Sequence, residues 1–97
     1  MTLHAEPKTI AVGEKDYIGF RFQGDDLPDG VTVQSGTVAV SPATGLTLDS
    51  GTALITDDND GAYAWVTGVT AGTYTVTFTI TFSDTKVLVR RYPVRVE

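Results

Sequence analysis

The sequence predicts an all-β fold in which two antiparallel sheets pack against each other. Its strongest support is the segment at residues 74–82, where large apolar residues alternate with threonines. Because successive side chains of a strand point to opposite faces, this segment has one apolar face and one hydroxylated face. The rest of the chain consists of short β-type runs separated by turn residues, and no long window shows helical spacing of apolar residues.

Each expected strand is bounded by residues that favour turns. Glycine supplies the positive φ that tight turns need, proline presets one turn dihedral, and Asp or Asn side chains bond back to their own backbone. These residues divide the chain into runs that we expect to be strands at residues 8–12, 17–23, 31–33, 37–40, 46–48, 53–55, 62–67, 73–82 and 86–96. The runs at 31–33 and 37–40 are either two short strands or one strand bent at Ser35-Gly36.

The alternation within these runs predicts which side chains fill the core. In the run at 62–67, Tyr63 and Trp65 share one face, whereas Ala64 and Val66 share the other. We expect Trp65 to pack in the core, and a place on a binding face is the alternative. The predicted core consists of Ile18, Phe20, Phe22, Val31, Val33, Val38, Val40, Leu46, Leu48, Trp65, Tyr74, Val76, Phe78, Ile80, Phe82 and Val94.

The last strand contains an irregularity in its pattern. Val87 and Val89 share one parity, whereas the apolar residues from position 92 onward share the other. Either a β-bulge at residues 90–91 changes the phase, or Leu88 faces inward and Arg90 interrupts the core face. We favour the bulge, because an inward arginine needs a buried partner. Pro93 has no N–H to donate, so its nitrogen is expected at a free edge or in the bulge.

The bulk properties indicate a single domain over residues 1–97 and exclude several classes of function. The net charge is −5, the pI is near 4.6 and only seven residues are Lys or Arg, which disfavours nucleic-acid binding. The absence of cysteine excludes disulfides, thiolate metal sites and cysteine nucleophiles. No signal peptide and no apolar run long enough to span a membrane is present.

The segment Gly72-Thr73-Tyr74 resembles the start of the sixth strand of immunoglobulin-like domains. In that family a Gly-x-Tyr sequence forms the tyrosine corner, in which the ring packs in the core and the hydroxyl bonds a nearby backbone group. The resemblance implies an immunoglobulin-like antiparallel β-sandwich of about seven strands with Greek-key connections, in which Tyr74 is the corner residue. The chain departs from antibody domains because it lacks both cysteines of the inter-sheet disulfide.

The final part of the chain, residues 71–96, is similar to small phage and prophage virion proteins. Members of this group are short, threonine-rich sandwiches without cysteine, and some of them are tail-fibre adaptors or tail-completion components. The resemblance implies a structural role in a particle that is assembled in the cytosol. It also explains a sandwich domain without an export signal.

Two acidic loops are the sharpest polar clusters. Crowded carboxylates can coordinate calcium, which makes Asp57, Asp58 and Asp60 candidate metal ligands. The EF-hand pattern fails, however, because the required glycine and glutamate positions hold Ala62 and Gly68. We favour a turn in which Asn-Asp-Gly supplies positive φ. A second acidic loop contains Asp25, Asp26 and Asp29. The two loops could share a cation if they lie side by side, but we favour two solvated turns.

Some side chains are candidates for an interaction surface. Four aromatic residues are considered as a binding face: Tyr17, Tyr63, Trp65 and Tyr92. Tyr17 is out of phase with the apolar residues of its strand, so it is the best candidate for an exposed ring. The only basic pair, Arg90-Arg91, lies beside Tyr92. The predicted interaction residues are therefore Tyr17, Arg90, Arg91 and Tyr92.

The sequence shows no catalytic motif. The single histidine, His4, is near a terminus, no serine has a base and an orienting carboxylate placed nearby, and no phosphate-binding glycine loop occurs. We therefore expect no enzymatic activity and no cofactor, with calcium as the alternative at the first acidic loop.

The expected function is that of a non-enzymatic structural or adaptor subunit, in keeping with a phage or prophage tail. The alternative is a carbohydrate- or cell-surface-binding module that uses Tyr17. The expected partners are other protein subunits of a particle, with further copies of this chain left open, and neither nucleic acid nor a membrane. We expect synthesis in the host cytoplasm without a signal peptide, and a place in the virion.

Overall fold

The computed structural model describes residues 3–4, 8–22, 27 and 30–97, which form nine β-strands. No residue in these ranges is helical, as predicted, so none of them belongs to a helix that could cross a membrane. The strands are β1 (Leu3–His4), β2 (Lys8–Ile10), β3 (Lys15–Phe22), β4 (Val33–Ser41), β5 (Leu46–Leu48), β6 (Leu54–Ile55), β7 (Gly61–Gly68), β8 (Gly72–Phe82) and β9 (Val87–Val96).

The strands form two sheets that pack face to face. The first sheet has the order β1-β3-β7-β5, with β6 also paired with β7, and the second has the order β2-β9-β8-β4. β1 pairs antiparallel with β3, whereas β2 pairs parallel with β9, so the N-terminal segment contributes one strand to each sheet. This order is that of immunoglobulin-like Greek-key sandwiches, and it confirms the predicted fold class.

The segment between β5 and β6 connects the two sheets along one side of the sandwich. Asp49 donates its N–H to the carbonyl of Trp65 in β7, at 3.1 Å. Gly51 then accepts a hydrogen bond from Val38 of β4, and Ala53 donates one to Gly36 of the same strand, both at 2.9 Å. The Val38 N–H and the Gly36 carbonyl on this side of β4 are therefore bonded by the segment between β5 and β6.

β4 is one strand with an irregularity near its start. Its pairing with β8 shifts by one residue between Val33 and Ser35, so Gln34 is the extra residue. The alternative of a single bent strand is therefore correct, and the irregularity is at Gln34, just before Ser35-Gly36. The shift returns Val33 and Val38 to the same buried face although their spacing is odd.

The core lies between the sheets and contains most of the predicted residues. Twelve of them are buried: Ile18, Phe20, Phe22, Val33, Val38, Leu46, Tyr74, Val76, Phe78, Ile80, Phe82 and Val94. Val31, Val40 and Leu48 are partly buried and pack against this cluster. The core also includes residues that the sequence pattern did not single out: Ile10, Ala53, Ala62, Ala64, Val66, Tyr92 and Val96.

The prediction that Trp65 packs in the core is wrong. β7 is in register with β3 so that Trp65 pairs with Tyr17 and Ala64 pairs with Ile18. Directly paired residues point to the same face of a sheet, so Ala64 joins Ile18 in the core and Trp65 joins Tyr17 outside. The size of the side chain therefore does not decide the face of β7.

The prediction of a β-bulge in the last strand is also wrong. β9 pairs with β8 without a break, from Thr81↔Val87 to Gly72↔Val96. Leu88 and Arg90 consequently lie on the core-facing side, which was the second alternative. Arg90 needs no buried partner there, because β2 covers only residues 94–96 of β9 and the guanidinium reaches the open edge, where it donates to the carbonyl of Val89 at 2.9 Å.

The tyrosine corner is present as the resemblance implied. Tyr74 is buried and its hydroxyl donates a hydrogen bond of 2.7 Å to the carbonyl of Thr70. Gly45 faces this ring with a φ of +105°, and a Cβ at that position would contact the hydroxyl and lie 2.7 Å from Cζ of Tyr74. The corner therefore depends on a glycine that is distant in sequence.

Replacing a core-facing residue of β8 should cost far more stability than replacing its neighbour. Phe78 is completely buried and meets the ring of Phe20 edge-on at 5.5 Å, so Phe78→Ala is expected to lower the free energy of unfolding by about 3–5 kcal/mol. Thr77→Ala, on the other face, should cost less than about 1 kcal/mol. Urea denaturation measures both values, and equal losses would contradict the assigned faces.

Gly45→Ala should destabilise the domain by about 2 kcal/mol or more, because it combines a strained positive φ with a clash against the tyrosine corner. Gly51→Ala is the matched control, since its Cβ would meet only the carbonyl oxygen of Val38 at 3.9 Å. Thermal melting of both variants checks this prediction. An unchanged melting temperature for Gly45→Ala would show that the corner does not require glycine there.

Candidate interaction surface

The outer face of the first sheet carries a cluster of apolar side chains, here called the aromatic surface. It consists of three exposed residues, Tyr17 on β3, Leu54 on β6 and Trp65 on β7, and of the half-buried Tyr63 on β7. Tyr17 is 52% exposed, Leu54 44% and Trp65 39%. Cross-strand pairing of Tyr17 with Trp65 and of Leu54 with Tyr63 brings them together. The prediction that Tyr17 is exposed is confirmed.

The ring of Tyr17 makes edge-on contacts with the other two rings of this surface. Tyr17 lies 5.9 Å from Trp65 with an angle of 77° between the ring planes, and 6.5 Å from Tyr63 with an angle of 81°. Such perpendicular contacts are favourable because a ring edge is positive and a ring face is negative. They also hold the rings in place, so that a partner would meet a preformed surface.

A groove runs across the aromatic surface. Its volume is about 560 Å³, and its lining residues are Tyr17, Gly19, Phe20, Arg21, Thr56, Ala62, Tyr63 and Trp65. Gly19 explains the depression: it lies opposite Tyr63, and a Cβ on Gly19 would lie only 2.5 Å from that of Tyr63. The lining contains no carboxylate, histidine or cysteine among the described residues, so it offers no acid–base pair.

The edge of β3 beside Tyr17 is closed by two side chains. Lys8 donates to the carbonyl of Tyr17 at 2.7 Å, and Asp16 accepts from its N–H at 2.8 Å. Lys8 and Asp16 also form an ion pair of 3.2 Å, and the Lys8 ammonium lies 4.3 Å from the centre of the Tyr17 ring. The Tyr17 N–H, assisted by Lys8, holds the pKa of Asp16 below its usual value. These contacts leave this stretch of edge unsuited to strand addition.

The remaining charges around the groove are locally neutralised. Lys15 pairs with Asp49 at 2.7 Å and lies 6.0 Å from the centre of the Trp65 ring. At the other end, Arg21 uses its Nε to bond Asp60 at 3.2 Å. The surface is thus apolar at its centre and close to neutral at its rim, which is the usual arrangement of a protein–protein contact.

The first acidic loop is a turn between β6 and β7. Asn59 has a φ of +54° and donates to the carbonyl of Thr56 at 2.9 Å, while Asp60 accepts from the Thr56 hydroxyl at 2.6 Å and from Arg21. In the part of the chain that is described, no three His, Cys, Asp or Glu side chains converge as metal ligands. Calcium binding by Asp57, Asp58 and Asp60 stays a prediction.

Two predicted polar features fall wholly or partly outside the described residues. The second acidic loop, with Asp25, Asp26 and Asp29, lies there entirely. For His4 only the backbone is described, and it pairs with Arg21.

The structure separates the other predicted interaction residues. Arg90 and Arg91 lie on β9 in the second sheet, away from Tyr17. Tyr92 is not on the surface, which corrects its place among the exposed aromatics: only 8% of it is exposed, and its ring packs 5.9 Å from both Phe20 and Phe78. No described residue is a hydrogen-bond partner of its hydroxyl, and burial raises the pKa of this group.

Sequence reasoning considered Tyr17, Tyr63 and Trp65 for a binding face, but it then assigned Trp65 to the core and did not single out Leu54. The signal was present in the sequence as Ala62, Ala64 and Val66, a small-residue alternation that fits beneath the aromatic residues of β3. This alternation shows which residues of β7 face outward only when the β3–β7 register is known, and a single sequence does not specify that register. Gly19, an interruption of the outward pattern of β3, was the other unused signal.

Comparison with solved structures supports the fold. Domains 5–6 of the S-layer protein SbsC align with a TM-score of 0.63 at 19% identity over 99% of this chain, which spans 42% of that one. The PKD domain from the KIAA 1837 protein aligns with a TM-score of 0.61 at 19% identity, covering 98% of this chain and 84% of that one. The fibronectin(III)-like modules of Clostridium thermocellum CbhA give 0.55 at 16% identity, covering 99% and 45%.

Sequence comparison is more specific than these structural likenesses. A search of curated protein sequences returns no significant match. Residues 11–95 match the sequence model of a family described as the podophage GP4 fiber-tail adaptor protein gp77. This match covers most of the chain, including β3 to β8 and nearly all of β9. The chain therefore belongs to the gp77 family of podophage fiber-tail adaptor proteins, a family of structural components of the phage tail.

Proposed function

We propose that this domain is a non-enzymatic adaptor of a phage tail and that the aromatic surface is where it binds another virion protein. The observation that carries the proposal is the preformed cluster of Tyr17, Tyr63 and Trp65 on one face of the first sheet. Exposed tyrosine and tryptophan side chains are the commonest residues to dominate protein–protein binding energy. The family match supports a partner from the virion.

The shape of the site favours docking onto the face of the sheet. The β3 edge beside Tyr17 is occupied by Lys8 and Asp16, so an added strand would have to displace an ion pair and two hydrogen bonds. The groove, by contrast, is open and apolar. A side chain of the partner inserted over Gly19 would contact ring edges on both sides.

The proposal includes no catalysis and neither nucleic acid nor a membrane as partner. The groove lacks an acid–base pair among its described lining residues, and general acid–base chemistry requires one. The net charge of −5 repels phosphate groups. Further copies of the chain are not required for the aromatic surface to be complete.

A carbohydrate-binding function is the second candidate, since exposed aromatic rings also stack on sugars. Stacking requires a free ring face. The Lys8 ammonium lies over the ring of Tyr17, and the edge-on contacts of Tyr17 with Trp65 and Tyr63 occupy more of these rings. These contacts favour a protein partner over a sugar. Binding to a glycan array that is lost in Tyr17→Ala would reverse this preference.

The double variant Tyr17→Ala/Trp65→Ala should fold but fail to enter particles. Both side chains are exposed, so the loss of stability should be modest, whereas removal of two central aromatic contacts should cost at least about 2 kcal/mol of binding, or roughly thirtyfold in affinity. Quantitative mass spectrometry of purified particles, assembled with the variant in place of the original chain, measures its incorporation.

Thr37→Ala/Thr79→Ala is the matched control, because it removes outward-facing side chains from the second sheet. It should be incorporated like the original chain. Normal incorporation of the aromatic variant, after circular dichroism has shown both variants to be folded, would mean that the aromatic surface does not bind the virion partner.

A further inference from the structure

Two cations of the chain differ from all the others. The chain has seven Lys and Arg residues, against twelve Asp and Glu. Five of these cations form ion pairs of 2.7 to 3.8 Å: Lys8, Lys15, Arg21, Lys86 and Arg95. Arg90 and Arg91 have no carboxylate of a described residue within 4.0 Å. An acidic chain thus leaves two adjacent arginines without a described acidic partner.

These arginines lie on a stretch of sheet edge that no described strand covers. β2 pairs only with residues 94–96 of β9. Lys86 accepts a backbone hydrogen bond from Phe82 of β8, whereas Glu97, on the other side of the strand, donates to Ile10 of β2 and accepts from Val12. Since backbone groups alternate in direction along a strand, residues 87, 89 and 91 point their N–H and C=O groups away from β8. Pro93 also has its nitrogen on that outer side, as predicted.

The two arginine side chains stand on opposite sides of this edge. Arg90 faces the core side of the sheet, and Arg91 faces the outer side together with exposed Val87 and Val89. A strand added beside β9 would alternate its own side chains in the same way. Two consecutive acidic residues in such a strand would therefore meet one arginine each, above and below the sheet.

We propose that residues 87–91 of β9 receive an extended, acidic segment of a neighbouring virion protein by strand addition. Backbone hydrogen bonds would give the affinity, and the two arginines would select a segment with adjacent carboxylates. This inference rests on the proposed function and adds a second contact to it, on the sheet opposite the aromatic surface. An adaptor with two such surfaces can hold two different neighbours.

Charge argues that the occupant is not another β9. Pairing two β9 edges would place the arginines of one copy near those of the other, and like charges across strands are destabilising. In the unbound chain, Arg90 covers the carbonyl of Val89 with its own hydrogen bond. A carboxylate that binds this guanidinium would release the carbonyl to the incoming strand.

The test uses the full chain labelled with ¹⁵N and two synthetic peptides of about nine residues. In both, threonine and valine alternate, and the two central residues are Glu-Glu in one peptide and Gln-Gln in the other. The Glu-Glu peptide should slow amide hydrogen exchange at Val87, Val89 and Arg91. At low salt it should bind roughly tenfold more tightly than the Gln-Gln peptide, and added salt should remove most of that difference.

Arg90→Gln/Arg91→Gln should bind both peptides equally, whereas Arg95→Gln should behave like the original chain. Arg95 is on the same strand, but it is paired with Glu97 and lies where β2 covers the edge. Equal affinity of the two peptides for the original chain, or protection of amides away from β9, would overturn the inference. The comparison of the two peptides uses the original chain, so it does not depend on folding of the arginine variant. The particle experiment on Tyr17 and Trp65 tests the first sheet separately, so the two proposals can fail independently.

Discussion

The register between β3 and β7 is the constraint on which the molecule depends. Pairing Tyr17 with Trp65 and Ile18 with Ala64 sends one parity of both strands into the core and the other parity outward. The small side chains of β7 leave room for the large ones of β3 and β8 between the sheets. The same register places the rings of Tyr17 and Trp65 side by side on the outer face of the sheet. The packing that stabilises the sandwich and the surface that we propose for binding are consequences of one alignment, and a slip of one residue would exchange them.

The two sheets expose different chemistry, which suits an adaptor. The first sheet presents aromatic rings in edge-on contact, surrounded by locally paired charges. Its edge at Tyr17 is closed by Lys8 and Asp16. The second presents a row of threonines and a β9 edge with two arginines that have no described acidic partner. A rigid core separates these surfaces, so each neighbour would meet a fixed geometry. If both proposed surfaces bind, specificity would come from shape and ring edges on one side and from charge and backbone pairing on the other.

The sequence predicted much of this fold because alternation is unambiguous where threonine separates large apolar residues, as in β8. Turn residues located the strands between, and Gly72-Thr73-Tyr74 identified the tyrosine corner. The alternation of apolar residues predicted the wrong face for a few side chains of β7 and β9. Core packing is the ordinary expectation for a tryptophan, but the face of Trp65 is decided by its pairing with Tyr17. An inward-facing Arg90 favours a bulge on sequence grounds, but no described strand covers β9 at that position, so the guanidinium reaches the edge of the sheet. Both errors concern neighbours across strands, which a single sequence does not specify.

Trp65 is the only tryptophan of the chain, so its fluorescence reports directly on the central claim. At 39% exposure it should be readily quenched by acrylamide in the isolated chain. Binding of the virion partner should bury the ring, shift its emission to shorter wavelength and protect it from the quencher. A tryptophan that acrylamide barely reaches in the isolated chain would place it in the core and contradict the β3–β7 register. One that stays equally accessible in assembled particles would contradict the binding surface.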